Sequence, residues 1–131
     1  MTAAVPTSFL PMALTRAQVQ SWLDGYVAAW RSNDPGRIAA LFSADVQYRF
    51  QPFEDAVVGR DAVVAAWLED PDEPGSWTAD YRAWAVTKDR ATATGETRYA
   101  DGSHFHNVFL LRFRGDECSE FTEWFVQTPQ G

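Results

Sequence analysis

The sequence predicts an α+β fold in which three N-terminal helices pack on one face of an antiparallel sheet. Two patterns predict it: apolar residues recur at helical spacing in the first half of the chain, and they alternate along four long segments after residue 76. At 131 residues with 46% hydrophobic side chains, the chain can bury one sizeable core. We therefore expect one domain over residues 15–131, preceded by an arm at residues 1–14.

The first helix is predicted to begin after Thr15, because Gln18 follows three residues later and completes a capping-box pattern. Ser32 and Asn33 are expected to end it. Between these points, one broad apolar face is formed by Val19, Trp22, Leu23, Tyr26, Val27 and Trp30.

Two shorter helices and a strand are predicted next. Asp34 followed by Pro35 is an N-cap with a first-turn proline, which begins the second helix. Residues 46–50 alternate as in a short strand, residues 59–61 introduce the third helix, and residues 70–76 form a loop. The residues expected to face the core from these two helices are Ile38, Leu41, Phe42, Val63, Ala66 and Trp67.

The second half of the chain is predicted to form a meander of long antiparallel strands. Their expected ranges are residues 77–86, 91–99, 104–113 and 118–127. Asp101 and Gly102 form a strong two-residue hairpin signal between the second and third of these strands. Such a turn would place Glu96 opposite Asn107.

Composition excludes several classes of function. The net charge of −7 argues against nucleic acid and anionic membrane surfaces, which require basic patches. The single cysteine, Cys118, leaves no internal disulfide or multi-cysteine zinc site. Residues 1–14 lack Lys and Arg and contain two prolines, a poor signal peptide, and no run is long enough for a membrane span. We therefore expect a soluble, cytoplasmic protein.

Four segments in this order resemble a known superfamily. They are AAWRSNDPGRIAALFSADVQY at 28–48, VVGRDAVVAAWL at 57–68, HNVFLLRF at 106–113 and EFTEWFV at 120–126. The combination resembles the NTF2-like superfamily and, within it, the SnoaL-like group of cone-shaped domains. That resemblance implies helices packed on the concave face of a curved sheet. The superfamily includes isomerases, cyclases, dehydratases, hydrolases and non-catalytic binding modules, so the fold alone does not decide the function.

The resemblance to the ketosteroid isomerases can be followed one residue at a time. Their oxyanion tyrosine on the first helix falls on Tyr26, which matches. Their general-base aspartate falls on Phe50, and their second oxyanion donor falls on Phe109. Phenylalanine can neither take nor donate a proton, so steroid isomerisation by that mechanism is not expected.

The same comparison directs Glu123 and Asn107 toward the cavity. Burial among aromatic residues would raise the pKa of Glu123, as a general acid or base requires near neutral pH. Tyr26 would then be the hydrogen-bond donor, and Asn107 would orient the substrate or the carboxylate. The alternative is a structural network, in which Glu123 accepts hydrogen bonds from Asn107 or pairs with Arg98 and contacts no ligand.

The aromatic residues are expected to give the cone an apolar pocket. The residues predicted to line it are Trp30, Tyr48, Phe50, Trp67, Phe109, Phe121 and Phe125. The function that follows is binding of a small, largely apolar molecule, with cofactor-free acid/base catalysis of the isomerase, cyclase, dehydratase or hydratase type. The alternative is a non-catalytic ligand-binding or dimerisation module whose cavity is filled.

The two histidines, His104 and His106, are predicted to lie on the opposite, convex face of the sheet. A metal requires three or four convergent ligands, and the nearby carboxylates, Glu96 among them, are expected on the cavity side with Arg98. No metal site is therefore predicted. The convex face is instead expected to form a homodimer interface, whose residues are His106, Val108 and Leu110 with Ala91, Ala93 and Gly95.

Overall fold

The computed structural model describes residues 13–129, so the predicted arm lies almost entirely outside the described residues. The helices are α1 (Arg16–Ser32), α2 (Pro35–Ala39) and α3 (Arg60–Glu69). The strands are β1 (Phe42–Arg49), β2 (Val57–Val58), β3 (Trp77–Thr87), β4 (Arg90–Tyr99), β5 (His104–Arg114) and β6 (Glu117–Gln127). The predicted α+β class is confirmed.

The helix boundaries follow from the residues that cap them. The Gln18 backbone N–H donates to Thr15 Oγ1 and the Thr15 backbone N–H donates to Gln18 Oε1, so the predicted capping box is confirmed. Asp34 caps α2 through the Gly36 backbone N–H. The expectation that α2 extends to Phe42 was wrong: the helix ends at Ala39, and Phe42 is the first residue of β1.

The six strands form one sheet in the order β2-β1-β6-β5-β4-β3. All neighbours are antiparallel except β1 and β6, which are parallel, so the expectation of a wholly antiparallel sheet was wrong in this pair. A hairpin turn forces antiparallel pairing, but β1 and β6 are separated by most of the chain and no turn sets their direction. Val57 and Val58 add a short edge strand that was not predicted.

The helices cover the concave face of this curved sheet, and an aromatic core lies between the two layers. Phe121 is fully buried and stacks on Tyr48 and on Tyr26, with ring centroids 4.2 and 5.6 Å apart respectively. Trp22 donates from Nε1 to the Leu41 carbonyl at 2.9 Å, which satisfies its polar atom inside the core. These contacts fix the first helix over the strands that carry the site.

The hairpin between β4 and β5 is longer than predicted. A four-residue loop at 100–103 joins the strands, and the Asp101 carboxylate accepts hydrogen bonds from the Ser103 backbone and hydroxyl. As a result Gly95, not Glu96, lies opposite Asn107. Because side chains alternate along a strand, a shift of one residue moves every β4 side chain to the other face.

This shift corrects the expected faces of β4. Ala91 and Ala93 are buried in the core rather than exposed on the convex face, and Gly95 pairs with Tyr81 on the concave side. Glu96 and Arg98 lie on the convex face rather than in the cavity. The predicted faces of β5 and β6 are confirmed by the burial of Asn107, Phe109, Leu111, Phe113 and Phe121.

Among the residues from 13 to 129, no helix is both long and apolar enough to cross a bilayer. The cytoplasmic location stays a prediction.

Candidate functional site

A cavity of about 510 Å³ opens between the helices and the concave face of the sheet. Its walls come from α1, α3, the loop after α3, and strands β1 and β3 to β6. A volume of this size admits a small organic molecule. The cavity lies inside the cone, where the sequence predicts a pocket.

Most of the residues predicted for the site line this cavity. Tyr26, Asn107 and Glu123 all do. Five of the seven predicted aromatic residues also do: Trp30, Tyr48, Phe50, Trp67 and Phe125. The other two, Phe109 and Phe121, do not reach it. Both are fully buried behind the wall, where their rings pack on each other at 5.2 Å.

Glu123 lies on β6 with its carboxylate turned into the cavity wall. Burial raises the pKa of this carboxyl group to about 7, although a hydrogen bond from Asn107 Nδ2 to Glu123 Oε2, 2.9 Å long, opposes the rise. Of the two contacts considered in the structural-network alternative, the one with Asn107 is present, whereas Arg98 lies on the other face and pairs with Glu96 at 3.6 Å. A pKa near 7 lets the group both release and accept a proton near neutral pH.

A directional chain of hydrogen bonds holds Asn107 in place. Thr97 donates from Oγ1 to Asn107 Oδ1 at 2.9 Å, which leaves the Asn107 amide N–H groups facing Glu123. The Thr97 hydroxyl has one proton, so the Tyr81 hydroxyl, 2.5 Å away, must be the donor in their bond. The hydrogen bonds therefore run in one direction: Tyr81 donates to Thr97, Thr97 to Asn107, and Asn107 to Glu123.

Sequence reasoning missed Tyr81 and Thr97 as parts of the site. Thr97 was assigned to the other face because the two-residue hairpin was the wrong turn, and a four-residue loop would have placed it correctly. Tyr81 lies on β3, next to β4, and alternates with the exposed residues Asp80 and Arg82. That alternation was a usable signal for an inward tyrosine.

Two tyrosine hydroxyls, one from α1 and one from β1, lie together in the cavity wall. Tyr26 and Tyr48 are buried, and their hydroxyl oxygens are 3.4 Å apart. Burial raises the pKa of both hydroxyls, and the Glu123 carboxylate raises both further, so each remains a neutral donor. The Trp67 ring packs edge-on against Tyr26 at 5.2 Å, and its Nε1 has no hydrogen-bond partner among the described residues.

The mouth of the cavity is acidic. Trp30 stacks on Trp77 with ring centroids 3.5 Å apart and donates from Nε1 to Asp72 Oδ2 at 3.1 Å, which ties the loop after α3 to α1. Glu69 and Asp70 line the same region. None of the cavity-lining residues in the described part of the chain is Lys, Arg or His. The site therefore disfavours anionic ligands.

The convex face carries the histidines, as predicted, but their surroundings differ from the prediction. Glu96 Oε1 lies 2.7 Å from His104 Nε2 and 3.9 Å from His106 Nε2. The expectation that the nearest carboxylate lies on the opposite face was therefore wrong, because it depended on the incorrect hairpin register. Val108 and Leu110 are exposed beside this cluster.

Comparison with known proteins agrees with this architecture. The family model described as the SnoaL-like domain matches residues 23–121, and the chain belongs to that family. Comparison with curated proteins gives no match.

Three solved structures show the same fold. A presumed ketosteroid isomerase from Kribbella flavida DSM 17836 has a TM-score of 0.69 at 18% identity, covering 88% of this chain and 83% of that one. An NTF-2 like protein of unknown function from Burkholderia xenovorans LB400 has a TM-score of 0.70 at 15% identity, covering 88% of each chain. An NTF2-like protein of unknown function from Mesorhizobium loti has a TM-score of 0.62 at 22% identity, covering 85% and 93%. The predicted SnoaL-like and NTF2-like resemblance is confirmed.

Proposed function

We propose that this protein binds a small, largely apolar molecule in the cone cavity and moves a proton on it without a cofactor. The observation that carries the proposal is Glu123, a carboxyl group with a pKa of about 7 inside a cavity of about 510 Å³. Members of the SnoaL-like family are often isomerases or cyclases, which is the same kind of chemistry.

The proposed reaction begins with Glu123 as base. Its carboxylate takes a proton from a carbon next to a carbonyl group, and the electron pair moves to the carbonyl oxygen. Tyr26 stabilises the resulting oxyanion by donating a hydrogen bond, because its raised pKa keeps the hydroxyl protonated. The protonated Glu123 then returns the proton to a different atom or to a leaving hydroxyl. Isomerisation, dehydration and its reverse follow this scheme. Cyclisation follows it when the enolate carbon attacks a second carbonyl carbon of the substrate, whose π bond breaks and whose oxygen takes the proton from Glu123.

Asn107 has a positioning role in this proposal. Its amide donates to one carboxylate oxygen of Glu123, Oε2, which leaves Oε1 as the oxygen that meets the substrate. Because Thr97 fixes the amide orientation, the carboxylate is held in place before the ligand enters.

The lining restricts the class of ligand. Aromatic walls favour a ring compound, and the acidic mouth formed by Glu69, Asp70 and Asp72 repels carboxylates and phosphates. We propose an uncharged or cationic cyclic ketone or phenol as the substrate, as in polyketide-like ring compounds.

The test separates catalysis from binding alone. The wild-type chain is screened by thermal shift against neutral cyclic ketones and phenols, and binders are then assayed for turnover and for exchange of the carbon-bound proton with deuterium. Glu123→Gln should retain binding, since glutamine preserves size and the acceptor for Asn107, but lose turnover and exchange by at least about a hundredfold. Glu54→Gln, which changes an exposed carboxylate in the loop after β1, is the matched control and should behave as wild type.

Binding with no turnover or exchange in the wild type would favour the non-catalytic alternative, a ligand carrier. Unchanged turnover in Glu123→Gln would exclude Glu123 as the acid/base.

We also propose that the protein is a homodimer whose two copies meet through the convex face. The exposed apolar side chains there are Val108, Leu110, Trp124 and Val126. Arg112 and Glu120 lie beside this apolar patch and pair at 3.0 Å. Neighbouring charges of both signs allow a second copy related by twofold symmetry to meet opposite charges.

A further inference from the structure

Glu96, His104 and His106 bring three metal-ligating side chains together outside the cavity. One ligand atom from each lies within 4.8 Å of the other two. The closest pair, His104 Nε2 and Glu96 Oε1, is 2.7 Å apart, and His106 Nε2 lies 3.9 Å from the same Glu96 oxygen. For a tetrahedral ion with bonds of about 2.0–2.1 Å, neighbouring ligand atoms lie about 3.3 Å apart. The observed spacings bracket this value.

The register of the sheet produces this cluster. His104 and His106 are two residues apart on β5, so their side chains share one face. Glu96 on β4 lies directly opposite His106, and the pairing of Arg98 with His104 places Glu96 diagonal to His104. Three ligands on two hydrogen-bonded strands need little reorganisation to converge, because the backbone already holds them side by side.

A second contact prepares His104 to bind a metal. Its Nδ1 lies 3.2 Å from Thr128 Oγ1, and the Thr128 backbone N–H donates to the His104 carbonyl at 2.8 Å. Because the Glu96 carboxylate can only accept, Nε2 of His104 donates to Glu96 Oε1 in the absence of metal, and an ion bound at Nε2 would replace that proton while Nδ1 donates to Thr128 Oγ1. Hydrogen bonding of the remote nitrogen is the usual way in which a metal-binding histidine is oriented.

We propose that Glu96, His104 and His106 form a site for a single Zn²⁺ ion on the convex face, with a water molecule as the fourth ligand. Two imidazoles and one carboxylate suit a borderline metal such as zinc better than Ca²⁺ or Mg²⁺, which prefer oxygen ligands. The partial exposure of the three side chains, 41% for Glu96, 20% for His104 and 60% for His106, gives the ion access from solvent.

Arg98 would compete with the metal ion for the Glu96 carboxylate. Its guanidinium lies 3.6 Å from Glu96 Oε1, and its side chain is 62% exposed, so it can swing away when the ion enters. Replacing it should therefore tighten zinc binding rather than weaken it. A purely structural ion-pair cluster would not respond in this direction.

The test uses the full-length chain without an affinity tag, stripped of metal with a chelator and titrated with Zn²⁺ by calorimetry. One ion should bind per chain. Glu96→Gln and His106→Ala should each weaken binding at least about tenfold, Thr128→Val should weaken it about 10–100-fold, and Arg98→Gln should tighten it. Glu54→Gln changes an exposed carboxylate in the loop after β1, outside the cluster, and should bind zinc as the wild type does.

Imidazole ¹⁵N spectra of the wild type give a readout that does not depend on variants folding. The chain has only two histidines, so four ring-nitrogen signals cover both. Zinc should shift the two Nε2 signals and leave Nδ1 of His104 hydrogen-bonded. Unshifted Nε2 signals, unchanged affinity in both Glu96→Gln and His106→Ala, or one ion per two chains would each overturn the single-chain site.

Discussion

Glu123 shows how neighbouring groups set the chemistry of one side chain. Burial raises its pKa from an ordinary value of 4.5 to about 7. Asn107 supplies the one hydrogen bond that opposes this rise, and Asn107 is itself held by Thr97. The proton affinity of the carboxyl group is thus set partly by a residue that does not touch it.

The raised pKa predicts a dependence of stability on pH. The folded chain holds the Glu123 proton more tightly than the unfolded chain, so this group's contribution to the free energy of unfolding is fully present below about pH 4.5 and is lost as the pH rises through about 7. Glu123→Gln should not show this loss. The difference in free energy of unfolding between the wild type and Glu123→Gln should therefore change by up to about 3 kcal/mol across this pH range. Urea unfolding at a series of pH values measures it.

The carboxyl groups of Asp45 and Asp89 change the free energy of unfolding with pH in the opposite direction to Glu123. Both residues are present in the wild type and in Glu123→Gln, so their contribution is the same in the two proteins. Hydrogen bonds from Ser43 and Arg112, respectively, lower the pKa values of these two carboxyl groups. Subtracting the two stability curves therefore isolates the contribution of Glu123. Parallel curves for wild type and Glu123→Gln would contradict the raised pKa.

A second prediction concerns Thr97. Thr97→Val keeps the shape of the side chain but removes the donor to Asn107 Oδ1 and the acceptor for Tyr81. We expect a loss of about 1–3 kcal/mol in stability and a further rise in the pKa of Glu123, because the Asn107 amide is no longer held toward it. Carboxyl ¹³C NMR titration measures the pKa. Thr97→Ser retains the hydroxyl and should restore both values, whereas an unchanged pKa in Thr97→Val would show that Asn107 is positioned by other contacts.

The orientation of three side chains was predictable from the sequence together with its resemblance to a known family. Helical spacing placed Tyr26 on the inner face of α1, and strand alternation showed which residues of β5 and β6 share a face, but the resemblance chose the face on which Asn107 and Glu123 lie. Thr97 was misplaced because its face depends on the length of one loop. The depth of a side chain was not predictable either: Phe109 has the correct orientation but is covered by Tyr26 and Phe121.

At the scale of elements, β3 and β4 approach each other so closely at one point that only glycine fits. A Cβ on Gly95 would collide with the Asp80 carbonyl oxygen and with the Tyr81 ring. This close approach lets the Tyr81 ring cross over β4 toward Thr97 and Phe109, whose ring lies 4.8 Å away.

Gly95→Ala should therefore destabilise the protein by at least about 1–3 kcal/mol, because the backbone must move to relieve the overlap. The matched control is Gly25→Ala in α1, where a Cβ would meet Leu41 at an ordinary 3.6 Å. That change should stabilise the helix by about 0.5–1 kcal/mol. Thermal and urea unfolding of both variants would check the contrast, and equal effects of the same sign would contradict it.

Elements with a strong local pattern were predictable, and pairings without a local cause were not. The capping box of Thr15 and Gln18 and the N-cap of Asp34 fixed two helix starts. The parallel pairing of β1 with β6 involves strands far apart in sequence, so neither a turn nor a periodicity could indicate it. The four-residue loop at 100–103 was not predicted, because the Asp101-Gly102 pair is also typical of a two-residue turn.

At the scale of the whole molecule, the sheet separates two surfaces with different properties. Its concave face forms the core and the cavity, and its convex face exposes large apolar side chains, among them Trp124 at 49% and Leu110 at 47%. Exposed apolar groups that are contiguous across neighbouring strands are typical of an interface.

The proposed dimer can be tested by introducing one charged side chain into this apolar patch. Leu110→Glu should convert the dimer to a monomer, since the interface would have to bury an unpaired carboxylate. Light scattering coupled to size exclusion measures the mass. Phe53→Ser, which removes an exposed apolar side chain from the loop after β1, is the control and should remain dimeric. A wild-type chain that is monomeric at all concentrations would contradict the proposed interface.

The alternation along β6 gives the two surfaces a shared backbone. Glu123 faces the cavity and the next residue, Trp124, faces the convex side, so a single peptide unit joins the proposed catalytic group to the proposed dimer contact. In the proposed dimer, a ligand that displaced this peptide unit would change the affinity between the two copies, and reciprocity requires that dimerisation would change ligand affinity by the same factor. Ligand binding in one protomer would then change the ligand affinity of the other. This cooperativity would be transmitted through β6, a strand of eleven residues.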